Sequence, residues 1–413
     1  MRRAAIIPWL LIPLCAVIAP AVNAQEPLPP IAHRGRKIIR PVKTIPVQQY
    51  GYKPPGKLPA LQGYQLVEML YLDERHLLFS FNVPALMEHD VACTAQNGNM
   101  EHRERAVVVD LQSSARAIQA EWSLDDYNQF VWPLQNGKFL LQRCANLSKV
   151  DANLQEEPIA DAHGVPILLE MSPGGTHLLL EWKEGQQLQA RAEVAASEQR
   201  PIGTAAASID PRRILANFLT LDPLAIIAES TLDVPAYVPV LGDGFLEMEG
   251  LPHDHWRINF QSYQGKLHVV TTFRSGCQPG VYSLTDTTFF VDTCNEYFSA
   301  KSRQAYDLNG HLLWHDTIDL RSTHPQVAIA QDESVFAIAT KRRILLNTDS
   351  TSSNLDVDDR QHINVYSAQT GKKLLRVATT PIYTAGGNFA LSPKGDQLAV
   401  LQNGAIEIYP IQK

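Results

Sequence analysis

The 413-residue sequence predicts an all-β fold assembled from repeated four-stranded antiparallel units. Three observations predict it. From Gln65 onward the apolar runs are about four to eight residues long and end at turn residues, which is strand length rather than helix length. One hairpin plan recurs along the chain. A second kind of hairpin generally follows it.

The first plan is clearest in "FALSPKGDQLAVL" (389–401), "VAIAQDESVFAIA" (327–339) and "ILLEMSPGGTHLLLEW" (167–182). Each has an apolar run, a polar turn and a second apolar run. Ser172-Pro173-Gly174-Gly175 matches Ser392-Pro393-Lys394-Gly395. Pro fixes one turn dihedral, and Gly or Asn accepts a positive φ that other residues resist. Looser copies begin at Met69, Phe130 and Val281.

The second plan places a polar turn inside "AYDLNGHLLW" (305–314), "VYSAQTGKKLL" (365–375) and "VVDLQSSARAI" (108–118). Two hairpins in succession make a four-stranded unit, and a chain of such units is the pattern of a β-propeller. The S-P-x-G hairpins together with "VYSAQTGKKLL" and "AYDLNGHLLW" resemble the blades of exported WD40-like and quinoprotein-like propellers. The resemblance covers most of 65–411 and implies the fold alone. Trp314 occupies the position where quinoprotein blades repeatedly carry Trp. The wide gap between Ile167 and Val281 has strands for at least one more unit in "ILANFLTLDPLAIIAES" and "WRINFQSYQGKLHVVTTF". The count points to seven blades, with six or eight as neighbouring alternatives. Two consecutive β-sandwiches would explain the strands but not their recurrence.

The chain ends on three strands, "NFALSPKGDQLAVLQNGAIEIYPI" (388–411), which leaves one blade a strand short. A closed ring exposes no unpaired inner edges. The missing strand is therefore expected from the N-terminal side, within 37–67.

Residues 1–24 read as a secretory signal peptide. Arg2 and Arg3 precede an apolar run, and Val22-Asn23-Ala24 is a small-residue cleavage pattern. No later run reaches the ~18 apolar residues of a membrane span. The expectation is an exported, monomeric protein, secreted or periplasmic. Residues 25–62 form a Pro-rich basic linker able to contribute the closing strand, and 63–413 form the propeller. The leader carries +2 and the linker +6, so the remainder of a −7 chain carries −15. That balance gives no expectation of a nucleic-acid partner.

Past the leader stand Cys93, Cys144, Cys277 and Cys294. Four cysteines allow three pairings. Folding the chain about Asp286 sets Cys277 nearly opposite Cys294, which leaves Cys93 for Cys144. No G-x-S-x-G, H-E-x-x-H, G-x-x-x-x-G-K-S/T or strand-to-helix G-x-G-x-x-G is found, and no two cysteines are adjacent. "PHDHW" puts His253 and His255 two apart, a spacing that on a strand shares one face and could reach one zinc ion. "NLDVDDRQH" (354–362) offers Asp356 and Asp358 on an expected inter-blade loop of calcium-binding character, without the Gly and distant Glu of an EF-hand. A pair of ligands is short of a site, so no catalytic or cofactor residue is assigned.

The reading is a binding or scaffold propeller that holds a protein, peptide or glycan by loops on one rim. The insertions at 87–105 and 183–211 are candidates for that rim. The alternative is a metal-assisted hydrolase or lactonase with its site at the central channel.

Overall fold

A computed structural model of the chain describes residues 40–54, 65–83, 102–124, 130–143, 146–159, 166–183, 213–232, 236–295, 300–318, 325–346, 355–379, 384–385 and 387–413. The leader, Cys93, Cys144, and residues 25–39 and 55–62 of the linker lie outside them.

Strands form because apolar, β-branched and aromatic residues recur between turns, and seven sheets result. The first blade is β2 (Gln65–Tyr71), β3 (His76–Asn82), β4 (His102–Asp110) and β5 (Arg116–Leu124). The second is β6 (Val131–Pro133), β7 (Phe139–Arg143), β8 (Asn146–Val150) and β9 (Glu156–Pro158). The third is β10 (Leu168–Met171), β11 (His177–Lys183), β12 (Ile214–Leu221) and β13 (Leu224–Leu232). The fourth holds β14 (Gly244–Leu251), β15 (His255–Ser262) and β16 (Leu267–Arg274), and its innermost strand is reduced to a bridge between Val240 and Phe245. The fifth is β17 (Gly280–Thr285), β18 (Thr288–Cys294), β19 (Lys301–Asp307) and β20 (Leu312–Ile318). The sixth is β21 (Gln326–Ile329), β22 (Val335–Leu346), β23 (Leu355–Ser367) and β24 (Lys373–Thr379). Thr384–Ala385 (β25) runs parallel to the start of β2. The seventh is β26 (Phe389–Leu391), β27 (Gln397–Gln402) and β28 (Ala405–Pro410), completed by β1 (Lys43–Pro46).

The turns repeat their chemistry with their sequence. Ser172 Oγ accepts the amides of Thr176 and His177, and Ser392 Oγ accepts those of Asp396 and Gln397. In both, a Gly with φ near +60° closes the turn: Gly175 at +66° and Gly395 at +61°. Outer hairpins use another device. Asp110, Asp151 and Asp307 each accept two turn amides through Oδ1. A one-residue register shift follows in the outer pair of the first, third, fourth, fifth and sixth blades, which sharpens the twist of the outer strand.

The core is divided among the blades. One buried cluster joins each consecutive pair, from Leu66, Trp122 and Phe139 between the first and second to Leu375, Leu398 and Tyr409 between the sixth and seventh. The cluster around Ile45, Phe79 and Ile406 joins the seventh to the first, so the ring is closed.

Closure falls where the sequence requires a strand. Lys43 pairs with Ile408, Ile45 with Ile406 and Pro46 with Ala405, antiparallel. The segment then enters the first blade. Tyr52 lies edge-on to Phe79 and Phe81, and Tyr50 Oη donates to Ser114 O at 2.8 Å. Part of the basic linker is thus integral to the ring.

One expectation is corrected. Residues 355–362 belong to β23, paired with β22 along its length, so Asp356 and Asp358 stand on a strand opposite Leu345 and Arg343. Backbone bonding to a long neighbour outweighs the polarity of the segment.

Ile45 is fully buried in the closing cluster, whereas Val42, just before the strand, is 67% exposed. Ile45→Ala is expected to cost about 2–5 kcal/mol, and Val42→Ala less than about 0.5 kcal/mol. Urea unfolding midpoints read both.

Candidate functional site

The inner hairpin turns of all seven blades meet at one end of the channel. Asp286 N–H donates to Glu333 Oε1 at 3.2 Å, and Gly242 N–H to Asp286 O at 3.2 Å. Gly174 N–H reaches the Asp286 carboxylate at 3.2 Å, and Gln135 Nε2 donates to Gly174 O at 3.0 Å. Asp332 N–H meets Pro393 O at 3.0 Å, and Lys394 N–H meets Glu74 Oε1 at 2.9 Å. Between the first two blades the approach is so close that a Cβ on Gly137 would stand 2.7 Å from Leu72 O. The turns leave between them a cavity of about 40 Å³, edged by Leu72, Leu134, Gly174, Gln331 and Pro393. That is room for about one water molecule.

Away from these turns the first and third blades carry acids. Glu170 on β10 and Glu181 on β11 share a face: Glu181 is paired with Leu168, two residues before Glu170. Glu181 is fully buried, with Oε2 accepting Ala236 N–H at 3.3 Å and Oε1 without a partner among the described residues. Burial, with the neighbouring Glu181 charge, pushes the Glu170 carboxyl up to about 8. Burial, partly offset by the Ala236 amide, pushes Glu181 to about 7. Tyr237 follows Ala236 into the fourth blade and is half-exposed, and its ring meets Tyr282 on β17 at 5.9 Å. Tyr282 stacks on Phe290 at 4.8 Å, and Arg303 covers Phe290 while paired with Asp292 at 2.7 and 2.8 Å.

A second acid pair is sealed. Glu68 on β2 and Glu104 on β4 project with Ser80 from the face of the first blade that meets the second. Glu104 and Ser80 are fully buried, and among the described residues neither Glu104 oxygen nor Ser80 Oγ has a partner. Burial lifts Glu68 to about 8, against a smaller opposing effect of the Gly387 amide. Burial and the Glu68 charge lift Glu104 well above the carboxylate range. A buried acid without a cation stays protonated because burial disfavours its charged form.

Of the residues singled out in sequence, Cys277 and Cys294 are disulfide-bonded, their Cα atoms 5.5 Å apart. The link anchors the segment entering β17, the strand of Tyr282. Ser275 reinforces it, donating to Cys277 O at 2.7 Å and accepting Cys294 N–H at 3.1 Å. His253 and His255 do not share a strand face. His253 and Asp254 form an exposed turn with φ of 60° and 57°, and the His255 ring nitrogen lies 2.9 Å from His253 O. The side chains of Asp356 and Asp358 lie outside the described residues. Among the described residues no group of three His, Cys, Asp or Glu could hold a metal ion, and no helix is long and apolar enough to cross a membrane.

Glu170, Glu181, Tyr237 and Tyr282 escape sequence reasoning. The signal present was an acid inside each apolar arm of "ILLEMSPGGTHLLLEW", where strand parity demands an apolar residue.

No protein-family model and no curated protein matches the chain. Solved structures similar to it include a mitotic checkpoint complex, at 11% identity over 96% of this chain and 99% of that chain, TM-score 0.44. The β-propeller domain of the trilobed protease from Pyrococcus furiosus is similar at 11% identity over 84% and 93%, TM-score 0.42. Acylaminoacyl peptidase from Pyrococcus horikoshii is similar at 8% identity, TM-score 0.44, over 86% of this chain and 53% of that one. By its own seven sheets and closing strand, the chain is a seven-bladed β-propeller.

An acid held protonated in the fold stabilises it at low pH, and that stability is lost as pH rises from the unfolded value of 4.5 toward about 8. Glu68→Gln is expected to remove part of the loss, raising stability near pH 8 by on the order of 3 kcal/mol while leaving it little changed near pH 4. Thermal melts across that range measure it.

Proposed function

We propose that this is a non-catalytic binding propeller, exported to the periplasm or extracellular space, that holds a protein, peptide or glycan partner at the end of the ring opposite the inner hairpin turns. One observation carries the reading: the inner turns are tied to one another from blade to blade at one end, while long connections leave from the other end. Strand direction decides this. The connections 83–101, 184–213 and 347–354 each join the second strand of a blade to its third, and such connections all emerge opposite the inner turns. Long connections on a rigid ring are where binding residues concentrate. Export is supported by the leader pattern at 1–24 and by the Cys277–Cys294 bond.

Shortening 84–101, 184–212 and 347–354 to tight turns is expected to abolish binding to peptide and glycan arrays while leaving the thermal melt cooperative. Turnover accompanied by stoichiometric zinc or calcium in the purified protein would overturn the proposal in favour of a metal-assisted hydrolase or lactonase. Expression in a bacterial host with a secretory pathway is expected to yield a mature chain beginning at Gln25. Mass spectrometry of the intact protein reads the cleavage site.

A further inference from the structure

We propose that the channel wall shared by the third, fourth and fifth blades binds a guanidinium group, presented as an arginine side chain of a peptide partner. The inference rests on the binding reading above and adds the chemistry of the ligand. Glu170 lies on an innermost strand and is partly exposed, and Glu181 beside it is fully buried with Oε1 unpartnered. Among the described residues no cation pairs with either acid. A buried, unpaired carboxylate is costly, and a cation is what relieves it.

The aromatic wall narrows the class. Tyr237 is 48% exposed on the segment whose amide, at Ala236, holds Glu181. With Tyr282 it forms a tilted pair of rings beside the acids. A planar guanidinium can stack on such a ring while donating two parallel hydrogen bonds to a carboxylate, and an ammonium cannot do both. Arg303, beside Tyr282, is committed to Asp292 and lies over Phe290. The Glu68–Glu104 pair has the same excess of negative charge, but both of its acids are buried, whereas Glu170 is partly exposed beside buried Glu181. Access separates the two pairs.

Tyr237 faces Glu170, and Tyr282, with Asp292 and Arg303 near it, lies beyond. An acid must ionise to pair with the cation, and values of about 8 for Glu170 and about 7 for Glu181 mean that affinity rises with pH through that interval.

Calorimetric titration of the full chain with N-acetyl-arginine amide, and with its neutral citrulline counterpart, tests the proposal. The arginine probe is expected to bind, more tightly as pH rises from about 6 to about 9, and the citrulline probe not to bind. Glu170→Gln is expected to weaken binding by about tenfold or more and Tyr237→Ala several-fold, while Glu68→Gln leaves it unchanged. Melts of each variant confirm that the ring is intact. Equal binding of both probes, or unchanged binding in a folded Glu170→Gln variant, would overturn the assignment. Array binding that is lost on shortening the connections but insensitive to Glu170→Gln would overturn it while leaving the binding reading intact.

Discussion

The pairing of Lys43–Pro46 with Ala405–Pro410 is the interaction on which the rest of the ring depends. A blade buries its faces only against its neighbours, and the first and last blades have neighbours only if the chain ends meet. Four residues near one end supply the fourth strand of a blade made at the other. They also bring Ile45 and Val47 into the cluster shared with Phe79 and Phe81. Pairing and burial coincide there, which explains why so short a strand serves: the ladder fixes register while the apolar contacts supply most of the free energy.

The distribution of polarity follows from the same geometry. Blade faces are apolar because each meets another face, and the channel is left to the innermost strands and their turns. At the turn end, amides and carboxylates satisfy one another from blade to blade. Higher in the wall, acids stand without cations among the described residues. Glu68 and Glu104 are sealed and neutral, so they act on stability. Glu170, partly exposed, stands beside a half-exposed tyrosine, where the proposed arginine would pair.

The hairpins were legible because their information is local. Pro, Gly, Ser and Asp at fixed offsets set turn dihedrals and cap turn amides whatever surrounds them, as the matching geometries at Ser172 and Ser392 demonstrate. The Cys277–Cys294 bond was legible for the same reason, since a hairpin fold about Asp286 brings the two together. Where the sequence misled, neighbours had decided. Residues 355–362 read as a loop from their aspartates, yet β22 supplies a partner along the whole length. His253 and His255 read as strand neighbours, yet a left-handed turn at His253 and Asp254 removes the alternation on which that depended.

The sequence by itself determined the class, the repeat and the need for a closing strand, because periodicity and turn chemistry act over a few residues; it pointed to seven blades with six or eight as alternatives, and the seven sheets of the structure settled the count. Only the tertiary structure decided which residues share the channel wall. Glu170, Tyr237 and Tyr282 lie on three successive blades, far apart along the chain. Nothing local to any of them fixes the distance to the others. Closure of the ring does, because it sets the angle between neighbouring blades and so the side chains that their inner strands hold in common.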